Sequence, residues 1–230
     1  MEHNADFSRR ASDHDTKTTW IPSPMPGVER RMLDRIGDEV ARATSVVRYA
    51  AGSHFSPHVH TGGEEFVVLE GVFSDEHGDF GPGSYIRNPP GSKHQPGSAD
   101  GCTIFVKLWQ FDPDDAVTVR LMEPPAYVET ASGVSVAALY TDAHEDVAFE
   151  RWSAEQPVVR DAGRGLELFV LEGSFTMGSE TFGPQSWLRL PPGDTLEARA
   201  GASGATVWRK AGHLDGARAR FEAAFARADA

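Results

Sequence analysis

Three histidines and one glutamate in the first half of the chain have a spacing suited to binding a metal ion. His58 and His60 are two residues apart, so on a β-strand both side chains point to the same face. Glu64 follows at an even distance and can rejoin that face after a glycine turn. His94 comes from a later segment. We therefore predict one metal site with these four side chains as ligands.

The donor set limits which metal ion this site would take. Three neutral imidazoles and one carboxylate suit a divalent transition metal and are too rich in nitrogen for Mg²⁺ or Ca²⁺. Fe(II) or Zn(II) is the expected ion, with Mn(II) or Ni(II) as alternatives. Four protein ligands on a six-coordinate ion would leave two positions for a chelating substrate or dioxygen. Glu64 is the predicted catalytic residue, because its carboxylate could also accept a proton.

The segments that would carry these ligands have the pattern of β-strands. Short runs rich in Val, Phe and Ile, such as residues 66–69 and 104–108, alternate with turn residues, which is typical of an all-β sandwich or barrel. Residues 28–36 and 40–50 could supply further strands, one of them lent to another unit. Helical periodicity is confined to Ala217–Ala228, where two phenylalanines share one face. The pattern predicts an all-β protein with a short C-terminal helix.

The chain contains the same unit twice. After a shift of 102 residues, Glu65–Gly71 aligns with Glu167–Gly173, and the Phe-Gly-Pro and Pro-Pro-Gly turns align as well. This gapless alignment also pairs Lys107 with Arg209. The predicted organisation is listed in chain order: a polar, proline-containing tail over residues 1–27, disordered at first and then extended; a metal-binding domain over 28–125; a second domain over 126–213; and a terminal helix over 214–230.

The repeat separates framework residues from candidate functional residues. The turn motifs and Arg87, which aligns with Arg189, occur in both copies and are predicted to be structural. The four candidate ligands occur in one copy only. Their counterparts in the second copy are Arg160, Ala162, Leu166 and Leu196. We therefore predict that the second domain is degenerate and holds no metal.

Bulk properties exclude several classes of function. The net charge of −12 disfavours nucleic acid as a partner, since an anionic surface repels phosphate. No run of residues is apolar enough for a membrane span or a signal peptide, and the single cysteine, Cys102, allows no internal disulfide. We expect a cytoplasmic protein that acts on a small molecule and binds neither nucleic acid nor membrane.

Two sequence motifs resemble those of the cupin superfamily. The first runs from Gly52 through His58-Val59-His60 and Glu64 to Gly71, and the second from Gly83 through Pro89-Pro90-Gly91 to His94. The last position of the second motif, usually Asn, is Ser98. The resemblance implies two tandem cupin barrels, which are double-stranded β-helices similar to a jelly roll. It also implies that the metal is bound inside the first barrel by the four residues named above.

A narrower resemblance is carried by residues 62–96 and 101–111. These stretches are similar to the cupin domain of ChrR-type anti-sigma factors and to stand-alone bicupins, some of which are similar to dioxygenases that cleave β-diketones. The resemblance implies a homodimer. Anti-sigma factors of this type hold their sigma factor with a separate zinc module of His and Cys residues, whereas Cys102 is the only cysteine of this chain. A sigma factor is therefore not an expected partner.

Two functions fit these observations. The first is a non-haem, metal-dependent dioxygenase that acts on a small chelating substrate similar to a β-diketone. The alternative is a non-catalytic regulatory or sensor cupin, similar to ChrR, in which zinc is structural or responds to a ligand. The loss of ligands from the second copy fits both functions.

Several other residues are further candidates for a role at the site. His54 has the same strand parity as His58 and could approach the pocket, whereas His77 is expected in an exposed turn. Asn88 is absent from the second copy, but a turn role before Pro89 is the preferred interpretation. Trp109 could line a pocket, although packing in the core is the preferred role.

Overall fold

The computed structural model describes residues 1–14, 19–38 and 40–228, and these residues form many β-strands and one helix. The strands of the first half are β1 (Glu2–His3), β2 (Ala11–Asp13), β3 (Ile21–Pro22), β4 (Val28–Gly37), β5 (Ala41–Tyr49), β6 (Ser53–His54), β7 (His58–His60), β8 (Glu64–Gly71), β9 (Phe73–Asp75), β10 (Gly78–Phe80), β11 (Tyr85–Asn88), β12 (Ser92–His94), β13 (Gly97–Ser98), β14 (Cys102–Leu108) and β15 (Val119–Leu121). The second half contains β16 (Val128–Ala131), β17 (Val134–Thr141), β18 (Asp146–Trp152), β19 (Pro157–Asp161), β20 (Leu166–Met177), β21 (Glu180–Phe182), β22 (Trp187–Leu190), β23 (Thr195–Ala211) and helix α1 (Ala217–Ala228). The predicted all-β class with a short C-terminal helix is confirmed.

The chain forms two compact units, each built from more than one segment. The first unit consists of Met1–Ala5, Thr19–Glu123 and Arg218–Ala230. The second consists of Asp6–Thr18 and Pro124–Ala217. Each unit therefore takes in a segment from beyond its own half of the repeat.

The first unit is a sandwich of one large sheet and two small ones. The large sheet has the strand order β1-β4-β5-β14-β8-β11-β15, with β3 beside β4. The small sheets have the orders β10-β9-β13-β6 and β12-β7. The sheets meet through apolar side chains such as Phe66 and Phe73, whose ring centroids are 4.7 Å apart.

Alternation along β8 decides which of its side chains enter the space between the sheets. Phe66 and Val68 are buried in the apolar cluster there. Because side chains alternate along a strand, Glu64 points to the same inner face and Glu65 to the opposite one. Glu65 is also buried, and the hydroxyl of Tyr85 donates a hydrogen bond to it at 2.6 Å. The pattern that builds the core of the barrel thus also directs one carboxylate inwards.

The second unit repeats this arrangement within one sheet. Its strand order is β16-β17-β18-β23-β20-β22-β2, with β19 beside β23 and β21 beside β20. Strands β20 and β23 pair along the length of β20, and the register shifts between Val170 and Glu172 and again between Gly173 and Phe175. The core of this unit is apolar and includes Phe175 and Phe182, which stack at a centroid distance of 4.7 Å.

The N-terminal region, which we predicted to be disordered at first and then extended, contains three short strands. β1 pairs with β4 of the first unit, β3 also pairs with β4, and β2 pairs with β22 of the second unit. These strands are two or three residues long and largely polar, so hydrophobic periodicity does not reveal them. Part of the predicted tail, residues 15–18, lies outside the described residues.

The strands predicted at residues 28–36 and 40–50 are β4 and β5, and both pair within the first unit. The suggestion that one of them is lent to the other unit is wrong. The segment that pairs across the repeat is β2, because its backbone groups satisfy those of β22.

The gapless alignment of the repeat fails in the last strand of each unit. Lys107 is the cross-strand partner of Glu65, and Lys210, not Arg209, is the partner of Glu167. Between Leu196 and Ala205 the second copy has one residue more than the first copy has between His94 and Cys102, and this residue lies within β23. The predicted pairing of Lys107 with Arg209 is therefore wrong, and Lys107 corresponds to Lys210.

Helix α1 packs against the first unit. Phe221 and Phe225 lie on one face, as predicted, and their ring centroids are 6.2 and 5.9 Å from that of Trp109. Within the described part of the chain, no helix is long and apolar enough to cross a membrane.

Candidate metal centre

The three predicted histidine ligands come together on two paired strands. His58 and His60 lie on β7, and His94 lies on β12 directly opposite His58. One nitrogen of each ring lies within 4.8 Å of a nitrogen of the other two. His60 and His94 are buried, whereas His58 is exposed. The cluster is therefore partly open on the side of His58.

Glu64 reaches the cluster from the large sheet. Its Oε2 atom is 3.4 Å from Nε2 of His60 and 3.7 Å from Nε2 of His94. Two glycines carry the chain from β7 to β8, and both need their small size. A Cβ atom at Gly62 would overlap the ring of Trp109, and one at Gly63, where φ is +76°, would lie 2.5 Å from Phe111. The site thus lies between the two sheets, and all four predicted ligands converge on it.

Each of these side chains except His60 has a partner that fixes its orientation. Nδ1 of His94 is 3.1 Å from Oδ2 of Asp75, and Nδ1 of His58 is 3.2 Å from the carbonyl oxygen of Ser56. Because a carboxylate and a carbonyl only accept hydrogen bonds, Nδ1 carries the hydrogen in both rings. Nε2 of each ring is then left with a free lone pair, which is the form that ligates a metal.

Asn88 holds the carboxylate of Glu64. Its Nδ2 donates a hydrogen bond to Oε2 at 3.2 Å, and it is the cross-strand partner of Glu64 on β11. The preferred sequence interpretation, a turn role, missed this contact. Asp75 was missed altogether, because it lies in a different hairpin and outside both motifs. The repeat contained a signal for both residues, since their counterparts are Leu190 and Met177.

Burial and neighbouring charges shift the titration of the buried rings. Burial lowers the pKa of His60, with the charges of His94 and His58 acting in the same direction and Glu64 opposing them. Burial also acts to lower the pKa of His94, but the hydrogen bond to Asp75 and the charge of Glu64 raise it on balance. His60 is thus favoured in its neutral form, which is the metal-binding form.

One atom of the cluster indicates that a metal fits the site. Nε2 of His60 is buried and has no hydrogen-bond partner among the described residues. Buried polar atoms are rarely left without a partner. A cation between the three rings and Glu64 would satisfy it, and this donor set suits a divalent transition metal.

The second unit has an apolar core where the first has the cluster. Arg160 and Leu196 face each other in the same register as His58 and His94, so the alignment of the ligand strands is gapless. The other counterparts of the ligands and of their partners are apolar. Ala162, Leu166, Leu190 and Leu196 are buried in one cluster, against which Met177 packs.

The remaining candidates are placed as follows. His54 and His77 are exposed, and neither lines the cavity beside the cluster. Arg87 is buried and donates a hydrogen bond to Asp115 at 3.0 Å, which fits the predicted structural role. Trp109 both packs on helix α1 and lines the cavity.

The fold is similar to that of several solved cupin structures. A protein from Nostoc punctiforme, provisionally described as a dioxygenase, superimposes with a TM-score of 0.73 and 12% identity over 90% of this chain and 84% of that one. The pirin YhhW of Escherichia coli in complex with nickel(II) superimposes with a TM-score of 0.64 and 13% identity over 88% of this chain and 98% of that one. A variant of oxalate decarboxylase from Bacillus subtilis superimposes with a TM-score of 0.58 and 12% identity over 88% of this chain and 77% of that one. The fold of the chain is therefore that of two tandem cupin barrels, as predicted.

In sequence, residues 8–112 match the ChrR Cupin-like domain. The matched stretch contains all four predicted ligands, and also Asp75 and Asn88, which hydrogen-bond to His94 and Glu64. No curated protein matches the chain in sequence.

Proposed function

We propose that the protein is a metal-dependent oxygenase that acts on a small chelating substrate of the β-diketone kind. The observation that carries this proposal is that His58, His60 and Glu64 line a cavity of about 410 Å³, with His94 beside them in the same cluster. A cavity of this size is typical of small-molecule sites. The similarity in fold to a structure provisionally described as a dioxygenase supports it.

The residues of the site have different roles in this proposal. The three histidines and Glu64 would hold a divalent ion, Fe(II) in this proposal, which would supply Lewis-acid and redox chemistry toward dioxygen. Val106 and Leu108 form apolar walls that exclude water from the bound substrate. Asn88 keeps one oxygen of Glu64 directed at the cluster, so this carboxylate is the group placed to accept a proton from the substrate.

The second candidate is a non-catalytic sensor cupin in which zinc is structural or responds to a ligand. The match of residues 8–112 to the ChrR Cupin-like domain favours it. The chain has no further cysteine besides Cys102, so the zinc module that holds a sigma factor in ChrR-type proteins is not matched. In this reading the same four residues bind zinc and no substrate is turned over.

The deciding experiment is elemental analysis of protein purified without a metal-chelating tag, together with oxygen uptake in the presence of small β-diketones. About one iron per chain and substrate-dependent uptake would support the oxygenase. About one zinc per chain, with no uptake after reconstitution with iron, would reject the oxygenase in favour of the sensor.

Two double variants test whether the metal is bound at the histidine cluster. His58→Ala with His60→Ala removes two ligands and should abolish stoichiometric metal. His54→Ala with His77→Ala removes two exposed histidines away from the cavity and should leave the metal content unchanged. Retention of metal by the first variant would refute the site.

A further inference from the structure

The cavity beside the cluster extends well beyond the metal ligands. Its walls include Val47, Phe55, Val106, Leu108 and Trp109, which are apolar. A chelating head group at the ligands would therefore leave room for the rest of a substrate to lie along an apolar surface. The side chains at the end of the cavity far from the metal ligands then determine which substrates fit.

Arg30 lies at that far end. It is on β4, two residues after Val28, and both side chains line the cavity. Its cross-strand partner is Val47 of β5. Strands β5 and β14 separate β4 from β8, which carries Glu64. Since neighbouring strands are about 4.8 Å apart, the backbone of Arg30 stands far across the sheet from Glu64.

The guanidinium of Arg30 is available to a ligand. Its Nε is buried and has no hydrogen-bond partner among the described residues. Arg30 is the one arginine or lysine among the described residues that line the cavity. An arginine with unused donors beside a cavity is suited to bind a carboxylate through two parallel hydrogen bonds.

A second arginine adds to the positive potential at this place. Arg35 and Arg30 both line an adjoining cavity of about 470 Å³. Burial lowers the pKa of Arg35, and the charge of Arg30 acts in the same direction. Arg35 donates hydrogen bonds to the carbonyl oxygens of Gly37 and Asp38, whereas Nε of Arg30 has no partner among the described residues. In a chain of net charge −12, this local excess of positive charge favours an anion.

We infer that Arg30 forms an anion subsite, and that the substrate is a chelator with an oxygen-donor head, an apolar middle and a terminal carboxylate. The inference rests on the proposed function for the head group, which occupies the metal. The carboxylate is bound by Arg30 and does not contact the metal ligands.

The test measures binding to the zinc-loaded protein by isothermal titration calorimetry. The probes are succinylacetone, a β-diketone with a terminal carboxylate, and homologues with longer methylene chains, each paired with its uncharged methyl ester. For at least one chain length we expect the acid to bind about tenfold or more tightly than its ester, as a charged hydrogen-bonded contact gives. The chain length that binds best reports the distance from the metal to Arg30.

Three variants decide the role of Arg30. Arg30→Gln should remove the preference for the acid and leave the affinity for the ester unchanged. Arg30→Lys should retain part of the preference, because lysine keeps the charge and loses the two-pronged geometry. Arg48→Gln is the matched control, since Arg48 is half exposed and pairs with Glu29 at 3.6 Å outside the cavity. It should behave like the wild type.

The outcomes separate this inference from the proposed function. If no acid is preferred over its ester in the wild type, or if Arg30→Gln keeps the preference, the anion subsite is refuted even where iron-dependent oxygen uptake occurs. If the Arg30-dependent preference is found but no probe supports oxygen uptake in the iron-loaded protein, the subsite stands and the oxygenase is rejected.

Discussion

Oδ2 of Asp75 lies 3.1 Å from Nδ1 of His94, and both side chains are almost fully buried. Burial acts to raise the pKa of Asp75, but the hydrogen bond with His94 and the N–H of His77 lower it on balance. The carboxylate is therefore charged at neutral pH and holds the ring with Nε2 towards the cluster. A carboxylate behind a ligating histidine both orients the ring and raises its basicity.

Replacing this carboxylate should weaken metal binding without removing a ligand. We expect Asp75→Asn to lower the affinity for zinc about 10- to 100-fold, the usual effect of losing such a partner. Competition with a chromogenic chelator measures it. Asp79→Asn is the control, because Asp79 is exposed and accepts a hydrogen bond from Ser74 away from the cluster. Equal affinities for the two variants would contradict the role of Asp75.

The pairing of Asn88 with Glu64 predicts a specific pattern of stability in the metal-free protein. Asn88→Leu leaves the buried carboxylate without its donor and should cost about 1–3 kcal/mol. The double variant Glu64→Leu with Asn88→Leu should be more stable than Asn88→Leu alone. The second unit shows the reason, since Leu166 and Leu190 are buried at the same two places.

Urea unfolding of the metal-free variants provides the measurement. Leu190→Asn, the reciprocal change, buries an amide in an apolar cluster and should destabilise the second unit. A double variant that is less stable than Asn88→Leu would show that the two side chains are not coupled in this way.

The contact of helix α1 with Trp109 should contribute measurably to stability. Phe221 is buried, and its removal in Phe221→Ala should cost about 3 kcal/mol and change the tryptophan fluorescence. Glu222→Ala is the control on the same helix, because Glu222 makes only an exposed ion pair with Arg218. That pair should contribute about 0.5 kcal/mol or less. Similar losses in the two variants would argue against docking of the helix through Phe221.

The carboxylate of Asp142 should make part of the stability depend on pH. Burial acts to raise the pKa of Asp142, but the N–H groups of His144 and Glu145 and the hydroxyl of Tyr140 lower it on balance. A folded-state pKa below the unfolded value gives stability that is present above the unfolded pKa, about 3.9, and is lost as the pH falls through the folded value.

Asp142→Asn should therefore be less stable than the wild type at pH 7, and the difference should shrink below about pH 4. Denaturant unfolding across this range measures it. Tyr140→Phe, which removes one donor and leaves the carboxylate, serves as the comparison. A difference between wild type and Asp142→Asn that does not vary with pH would exclude an electrostatic origin.

Strand parity and the repeat were sufficient to predict which side chains meet at the cluster. His58 and His60 share a face of β7 because side chains alternate between the two faces of a strand. The glycine turn after β7 then brings Glu64 back to the same side. The partners of these residues were not predicted, since Asp75 reaches His94 from a hairpin that no local pattern links to it. Arg30 was missed because only the paired strands show that it faces the cavity.

Two other features depend on information that apolar periodicity does not carry. Strand β2 is held by backbone hydrogen bonds to β22, which need no apolar side chains. The single extra residue within β23 left the turn motifs aligned and shifted the end of that strand by one. The shift is visible only in the partners of Lys107 and Lys210.

The division of the chain between its two units limits how the protein could be taken apart. A polypeptide ending at Glu123 would lack the helix that packs on Trp109 and would contain a strand, β2, that had lost its partner β22. One starting at Pro124 would expose the edge of β22. To obtain the metal-binding barrel alone, Met1–Ala5, Thr19–Glu123 and the terminal helix would have to be joined through new linkers. No single cut of the chain therefore separates one complete unit from the other.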